Sequence, residues 1–246
     1  MSNWVKWVAA FDLHGDWADL PTVSVLFNFM ESFKPKIRIF GGDLWDFACL
    51  RSGASHEDKR VDMEADYNAG MEFLKTFRPH HFILGNHDWR LWEHAAGHRH
   101  NAVQSYAKQG VREIESWCAK RKCQLLPYHK REGVLDLGKA RFLHGFHGGV
   151  RACQEHYASY RSCFFGHIHA FDSYAGPSFD GPSISQSVGC LANPDMDYNR
   201  KQPKTLRQTN GWAYGVLNKE TGGYHYWLAQ RHSGEWLIPT DIVTFK

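Results

Sequence analysis

The sequence predicts an α/β fold, and three observations carry that reading. Short apolar runs alternate with longer amphipathic ones through most of the chain. Several of the short runs stop at glycine, with Asp, Asn or His close by. After about residue 183 the helical periodicity fades and short β-rich runs take over. The 246 residues suffice for one large domain with a substantial core. A single unit spanning 1–246 is expected, because no repeat, low-complexity segment or linker breaks the pattern.

In chain order, WVKWVAAF (4–11) reads as a strand. LPTVSVLFNFMESF (20–33) reads as a helix, with Pro21 at its start where a missing N–H costs nothing. IRIFGG (37–42) is a strand running into glycines, and 60–77 is a helix stopped by Pro79. HFILG (81–85) is a third strand, and 101–122 a helix with a potential break at Gly110. ARFLHG (140–145) and SCFFGH (162–167) are strands around a helix at 150–160. SISQSV, WAYGVL, GYHYWLA and EWLIPTDIVTF then read as strands.

The bulk properties narrow the class. Hydrophobic content of 43% and charged content of 22% are those of an ordinary globular protein, and a net charge of +3 does not imply a nucleic-acid partner. The aromatic share of 15%, with ten Trp, predicts a Trp-rich core. Six cysteines without a CxxC pair predict free thiols. The first apolar stretch is too short for a membrane span or a signal peptide, so a cytoplasmic protein without membrane association is expected. Sixteen histidines are the unusual figure, since imidazole is both a metal ligand and a proton carrier.

Five of the predicted strands end in such residues: Asp12 and His14; Asp43 and Asp46; Asn86, His87 and Asp88; His144; His167 and His169. Any one of these motifs alone is explained by a turn or a helix cap. All five, in order and each after a strand, point to one site at a sheet edge, where α/β folds build their sites. Asp12, His14, Asp43, Asn86, His144, His167 and His169 offer three oxygen donors and four imidazoles, without a thiolate. That set suits two divalent ions sharing a bridging carboxylate; Mn2+ leads, with Fe or Zn as alternatives. His167 and His169 are expected to face inward together through a bend at Gly166 or Ile168.

This order of motifs resembles the calcineurin-like metallophosphoesterase superfamily over residues 12–169. The resemblance implies a two-layer β-sandwich flanked by helices in place of an open sheet. It implies one metal on Asp12, His14, Asp43 and His169, and the other on Asp43, Asn86, His144 and His167, with Asp43 bridging. A hydroxide between the ions would attack phosphorus in line. His87 matches the histidine near the leaving-group oxygen, and Asp46 the carboxylate that orients it. Phe47 and Leu84 stand where the superfamily's protein phosphatases carry arginines, and His87 stands where the lipid-A pathway hydrolases carry Arg. The motifs are most similar to phosphodiesterases and the DNA-repair exonuclease branch, and in general style to small phage-encoded phosphoesterases.

Around the site, Arg51 and Arg90 are candidates for substrate contact, and Trp89 and Trp92 for core packing. His94, His98 and His100 read as solvated, and His147 as a neighbour of the better-placed His144. Arg200, Lys201, Lys204 and Arg207 form a basic stretch that could meet a phosphate backbone. The expected activity is hydrolysis of a phosphate ester, foremost a phosphodiester in DNA, RNA or a nucleotide. A phosphomonoesterase of small molecules is the alternative within enzymes. A non-catalytic scaffold with the same fold would not need all seven ligands together with His87 and Asp46.

Overall fold

The structure, a computed structural model, describes residues 3–53, 62–179, 181, 183–194 and 203–240. Twelve strands and five α-helices are named here in chain order. They are β1 (Trp4–Ala10), α1 (Leu20–Phe33), β2 (Ile37–Phe40), α2 (Met63–Phe77), β3 (His81–Ile83), α3 (Asn86–Ala96), α4 (Asn101–Lys120) and β4 (Gln124–Leu126). There follow β5 (Leu135–Leu137), β6 (Ala140–Leu143), α5 (Ala152–Tyr160), β7 (Cys163–Phe165), β8 (Asp172–Gly176) and β9 (Ser183–Ser187). The last three are β10 (Gly211–Asn218), β11 (Tyr224–His232) and β12 (Glu235–Trp236).

The helices begin where local chemistry starts them. Asp19 caps α1 by accepting the Thr22 N–H, and Asp62 caps α2 by accepting from Glu64 and Ala65. Lys34 and Arg78, both left-handed, end these helices. Gly110 does not break α4, which runs on as one helix. One turn-forming motif is in fact helical: Asn86, His87 and Asp88 open α3. The predicted final strand is much shorter, with β12 ending at Trp236; 241–245 lie outside the described residues.

Two sheets form. The first has the order β12-β11-β10-β1-β2-β3-β4, parallel from β1 to β4 and antiparallel beyond β1. The second has the order β5-β6-β7-β9-β8, with β6, β7 and β9 parallel. The open sheet read from the strand pattern alone is thus replaced by two sheets with helices on their outer faces, as the resemblance implies.

The period-two alternation of side chains builds the layers. On β1, Trp7 and Ala9 face the second sheet, where they join Phe142 and Phe164. Val8 and Ala10 face the helices, in a core with Phe29 and Phe33 of α1 and Phe73 and Phe77 of α2. On β7, Phe164 turns to the first sheet, while Cys163 and Phe165 pack with Ala152 and Cys153 of α5. Trp7, Trp45 and Trp212 are fully buried, and Trp89 and Trp92 pack on the helix-side core. The Trp-rich core is therefore observed. All six cysteines are free thiols. Among the described residues, no helix is long and apolar enough to cross a membrane.

Phe164 stacks on Phe142 at 5.1 Å and meets Trp7 and Tyr226 edge-on, so it joins the two sheets. Phe164→Ala should cost about 3–5 kcal/mol. The measurement is the urea midpoint at constant m; a shift equivalent to less than about 1 kcal/mol would contradict the packing role.

Candidate metal centre

The five predicted motifs lie at strand C-termini, but they are divided between the sheets. β1, β2 and β3 bring Asp12, His14, Asp43 and Asn86; β6 and β7 bring His144, His167 and His169. These strands are not consecutive, because β4 and β5 intervene. The first two loops are zipped together: the Leu13 and His14 amides both donate to the Asp43 carbonyl, at 2.9 and 3.0 Å.

The loops turn inward through the donor residues themselves. Asp12, His14, Asp43, His167 and His169 all have φ between 51° and 67°. The bend expected at Gly166 or Ile168 therefore lies at the two histidines, with Ile168 buried between them. Gly166 serves a different purpose. A Cβ there would come within 2.4 Å of Asp12 Oδ2, so glycine is what permits the approach of β7 to Asp12. Gly85 does the same for Asp43, with 2.1 Å to Oδ1.

All seven predicted ligands converge. His14 Nε2 lies 3.1 Å from His169 Nε2, and His169 Nε2 lies 3.6 Å from Asp12 Oδ1. Asn86 Oδ1 lies 3.0 Å from His144 Nε2 and 2.9 Å from His167 Nδ1, and His144 Nε2 lies 3.2 Å from Asp43 Oδ2. Asp43 Oδ2 is also 3.8 Å from His14 Nε2. Three groups of side chains could hold a metal ion: Asp12–His14–His169, His14–Asp43–His87 and Asp43–His144–His167.

The donor chemistry fits cations. His144 Nδ1 donates to the Gly41 carbonyl at 3.0 Å, which points Nε2 at oxygens of Asn86 and Asp43. A positive charge is needed among these atoms, supplied by a second proton on His144 or by a metal ion that replaces it. His14 Nδ1 donates to Asp46 Oδ1 at 3.0 Å, so its Nε2 lone pair faces His169. Two bonds of about 2.0–2.1 Å meeting tetrahedrally at one ion set ligand nitrogens about 3.3 Å apart, close to that spacing. Nδ1 of His169 is buried without a hydrogen-bond partner among the described residues.

The electrostatics agree. Burial would raise the Asp43 carboxyl, but His144 and then His87 outweigh it and hold the group well below the ordinary carboxylate range. Burial raises Asp12 to about 7 against the pull of His144. Burial also opposes a charge on His144, yet Asp43 raises that ring to about 9. His167 is lowered to about 3 and His169 well below its ordinary value, by burial first and by neighbouring imidazoles second. Both are neutral, with lone pairs ready to donate to a metal.

Beside the ligands stands a second set. Asp46 Oδ1 accepts from His87 Nδ1 at 2.7 Å as well as from His14. Burial would raise Asp46, but the hydrogen bonds from these two rings outweigh it and lower the group far below its ordinary value. His14, His87, His167 and His169 line a cavity of about 220 Å³. Arg51, Arg90 and Gln208 line it too.

The remaining predicted residues separate. Arg90 Nη1 donates to the Asp46 carbonyl at 2.7 Å, which places its guanidinium on the loop that carries Asp46. Arg207 donates to the Gly149 carbonyl at 2.8 Å and lies 3.7 Å from Asp172, so it faces the loop after β6. Lys204 belongs to the short helix Pro203–Arg207, its side chain outside the description; Arg200 and Lys201 lie outside the described residues. His147 pairs with Glu155 at 3.0 Å; His94 stacks on His98, whose ring meets that of His100 at a tilt, and none of these three belongs to the three groups.

Two contributors, Gln208 and Asp66, escape sequence reasoning, and so does the role of a third, Asp88. Gln208 reaches the cavity because the Thr209 amide donates to the His169 carbonyl. Asp88 accepts from the Gly85 and Trp45 amides at 2.8 and 3.0 Å, joining the second and third loops. Asp66 accepts from the Asp46 and Phe47 amides at 3.1 and 2.7 Å. The two aspartates carried one available signal, a carboxylate within an otherwise apolar helix face.

No family model matches the chain. No curated protein matches it either. Among solved structures, one described as a novel phosphatase from Mycoplasma pneumoniae is similar, at 11% identity and a TM-score of 0.43 over 94% of this chain and 95% of that one.

His156 supports the site from behind. It is fully buried, accepts the Phe146 N–H through Nε2 at 2.9 Å and donates from Nδ1 to Ala152 at 2.8 Å. Both bonds need a neutral ring, and burial lowers it from 6.5 to about 4. Because the unfolded chain takes up this proton first, the stabilisation is complete above about pH 6.5 and is lost as pH falls towards 4. His156→Gln should flatten the acid limb of the stability curve by on the order of 3 kcal/mol. Urea midpoints between pH 4 and 7 test this, and parallel wild-type and variant curves would contradict it.

Proposed function

We propose that the chain is a dinuclear metal-dependent phosphoesterase of the calcineurin-like type, acting on phosphodiesters. One observation carries the reading. The Asp43 carboxylate is shared between donor groups on its two sides, and His87, oriented by Asp46, borders the same cavity. Asp12, His14, Asp43 and His169 would hold one ion, and Asp43, Asn86, His144 and His167 the other. Two divalent ions would polarise the phosphoryl oxygens and make water a stronger nucleophile at neutral pH. Mn2+ is the first choice for a mixed oxygen and imidazole set, before Fe or Zn.

The chain's own residues supply the rest. Asp46 fixes two tautomers with one oxygen. It keeps the proton of His14 on Nδ1, so that Nε2 can donate to a metal, and it holds the ring of His87 against rotation. His87 would then present Nε2 at the cavity as the proton donor to the departing alkoxide. Arg51, Arg90 and Gln208 offer donors at the cavity wall for phosphoryl oxygens.

The cavity favours a diester. Its volume of about 220 Å³ lies under the roughly 300–1,000 Å³ of sites that enclose a whole small ligand. It suits a phosphoryl group with its nearest substituents, the remainder of the substrate lying outside, as in a nucleic-acid strand. The test is metal-reconstituted protein against mono- and diesters and against single- and double-stranded DNA and RNA. Brisk turnover of a monoester beside none of any diester would overturn the substrate reading; no turnover of any phosphate ester would overturn the enzyme reading.

Asp43→Ala removes the shared carboxylate. Metal content by elemental analysis should fall from about two ions per chain towards one or none, with activity following. Two tightly held ions in the variant would exclude the bridging role.

His87→Asn should spare metal content and reduce hydrolysis of alkyl esters roughly 10²–10⁴-fold. A p-nitrophenyl ester should lose much less, because its leaving oxygen needs little protonation. Equal losses on both substrates would rule out proton donation by His87.

A further inference from the structure

The loop that carries Asp46 is held by two buried carboxylates, one from each of two helices. The amides of Trp45, Asp46 and Phe47 are consecutive, and each donates to a carboxylate oxygen: Trp45 to Asp88, and Asp46 and Phe47 to Asp66. The carbonyl side is held as well, by Arg90 Nη1 at 2.7 Å and by His87 Nδ1 at 3.1 Å. Asp66 lies on α2, well away in sequence from every predicted ligand, and is 1% exposed. Both of its carboxylate oxygens accept from backbone amides. Burying a carboxylate is expensive unless hydrogen bonds satisfy it, so this side chain is costly as mere filling of a helix–loop contact.

The surroundings are shaped to admit it. Gly15 follows His14, and a Cβ there would fall 1.7 Å from Asp66 Oδ1. Phe47, the second donor, is left-handed at φ 44°, a backbone state that the bond to Asp66 Oδ2 at 2.7 Å fixes in place. The Asp46 amide and the Asp46 side chain belong to one residue. A shift of this loop therefore moves Oδ1 away from both His14 and His87.

We propose that Asp66 is a positioning residue, which sets the Asp46 carboxylate against His87 and His14 by holding the Asp46 and Phe47 amides. The proposal deepens the phosphoesterase reading and rests on it for its kinetic consequence, while its structural core stands independently. Asp66 touches neither the cavity nor a donor group. It acts through the loop, and its loss should appear in proton transfer ahead of substrate binding.

Asp66→Asn separates the two levels. The amide keeps one acceptor oxygen and presents N–H to the other backbone donor, so one of the two bonds is lost. In the full chain, hydrogen exchange at Asp46 and Phe47 should accelerate about tenfold, the equivalent of one lost hydrogen bond. The Trp45 amide, held by Asp88, should keep its protection. In the metal-loaded protein kcat on an alkyl diester should fall about tenfold with KM changed less than about twofold. The p-nitrophenyl ester should lose less. Unchanged exchange at Asp46 and Phe47 overturns the latch. Faster exchange with equal kinetic losses on both esters overturns its link to His87. If wild-type protein hydrolyses no phosphate ester, the enzyme reading fails and the exchange measurement alone decides the latch. Should Asp66→Asn be recovered unfolded, Asp66→Ser, smaller and equally uncharged, is read in the same two assays with the same outcomes.

Discussion

The rest of the site depends on the placement of the Asp43 carboxylate. Oδ1 accepts the His87 amide at 2.8 Å, and Oδ2 faces His144 at 3.2 Å, His14 at 3.8 Å and His87 at 3.9 Å. One side chain thus meets donors from three loops, and through its backbone carbonyl it also holds the loop after β1. The carboxylate is 1% exposed, so its charge is compensated by neighbours and not by water. The glycines at 42 and 85 follow from this crowding: a side chain at Gly42 would meet His144, and one at Gly85 would meet Asp43 itself.

Much of this was legible in the residue order, for reasons that differ by element. Helix α1 begins and ends where read, because Asp19, Pro21 and the apolar spacing over 20–33 are local signals that agree. The seven donors were legible because each closes an apolar strand, and strand ends at a sheet edge are close in space. The division between two sheets was not. Parallel pairing of β1 with β2 and of β6 with β7 joins segments far apart in sequence, and nothing local encodes which sheet receives them. Strands β4 and β5 are three residues each, too short to show alternation. Helix α3 was missed because its first turn is the Asn86-His87-Asp88 motif, which reads equally well as a turn.

The support around the donors was the least legible. Asp66 lies in MEADYNAG, on the apolar face of its helix, which marks it as unusual without saying what it meets; only the fold reveals that it points at two amides. His156 looks like one more histidine among sixteen, yet its ring is wedged against Phe165 at 4.0 Å with both nitrogens engaged. Conversely, the basic stretch was conspicuous in the sequence, and the Arg207 side chain within it is occupied by Gly149 and Asp172. Charge is easy to see along a chain, but its partner is visible only in three dimensions.

The left-handed backbone at Asp12, His14, Asp43, His167 and His169 has a consequence for how this protein can change. A side chain with a Cβ in that region costs about 1–3 kcal/mol where the surroundings impose it, and glycine removes the penalty. Each of these positions is therefore one at which a glycine would relieve strain while deleting a donor. Selection for robustness alone would erode the centre, and selection for activity must hold it against that drift. A thermally hardened variant chosen on stability alone would be at risk of reaching it by surrendering one of these converging donors.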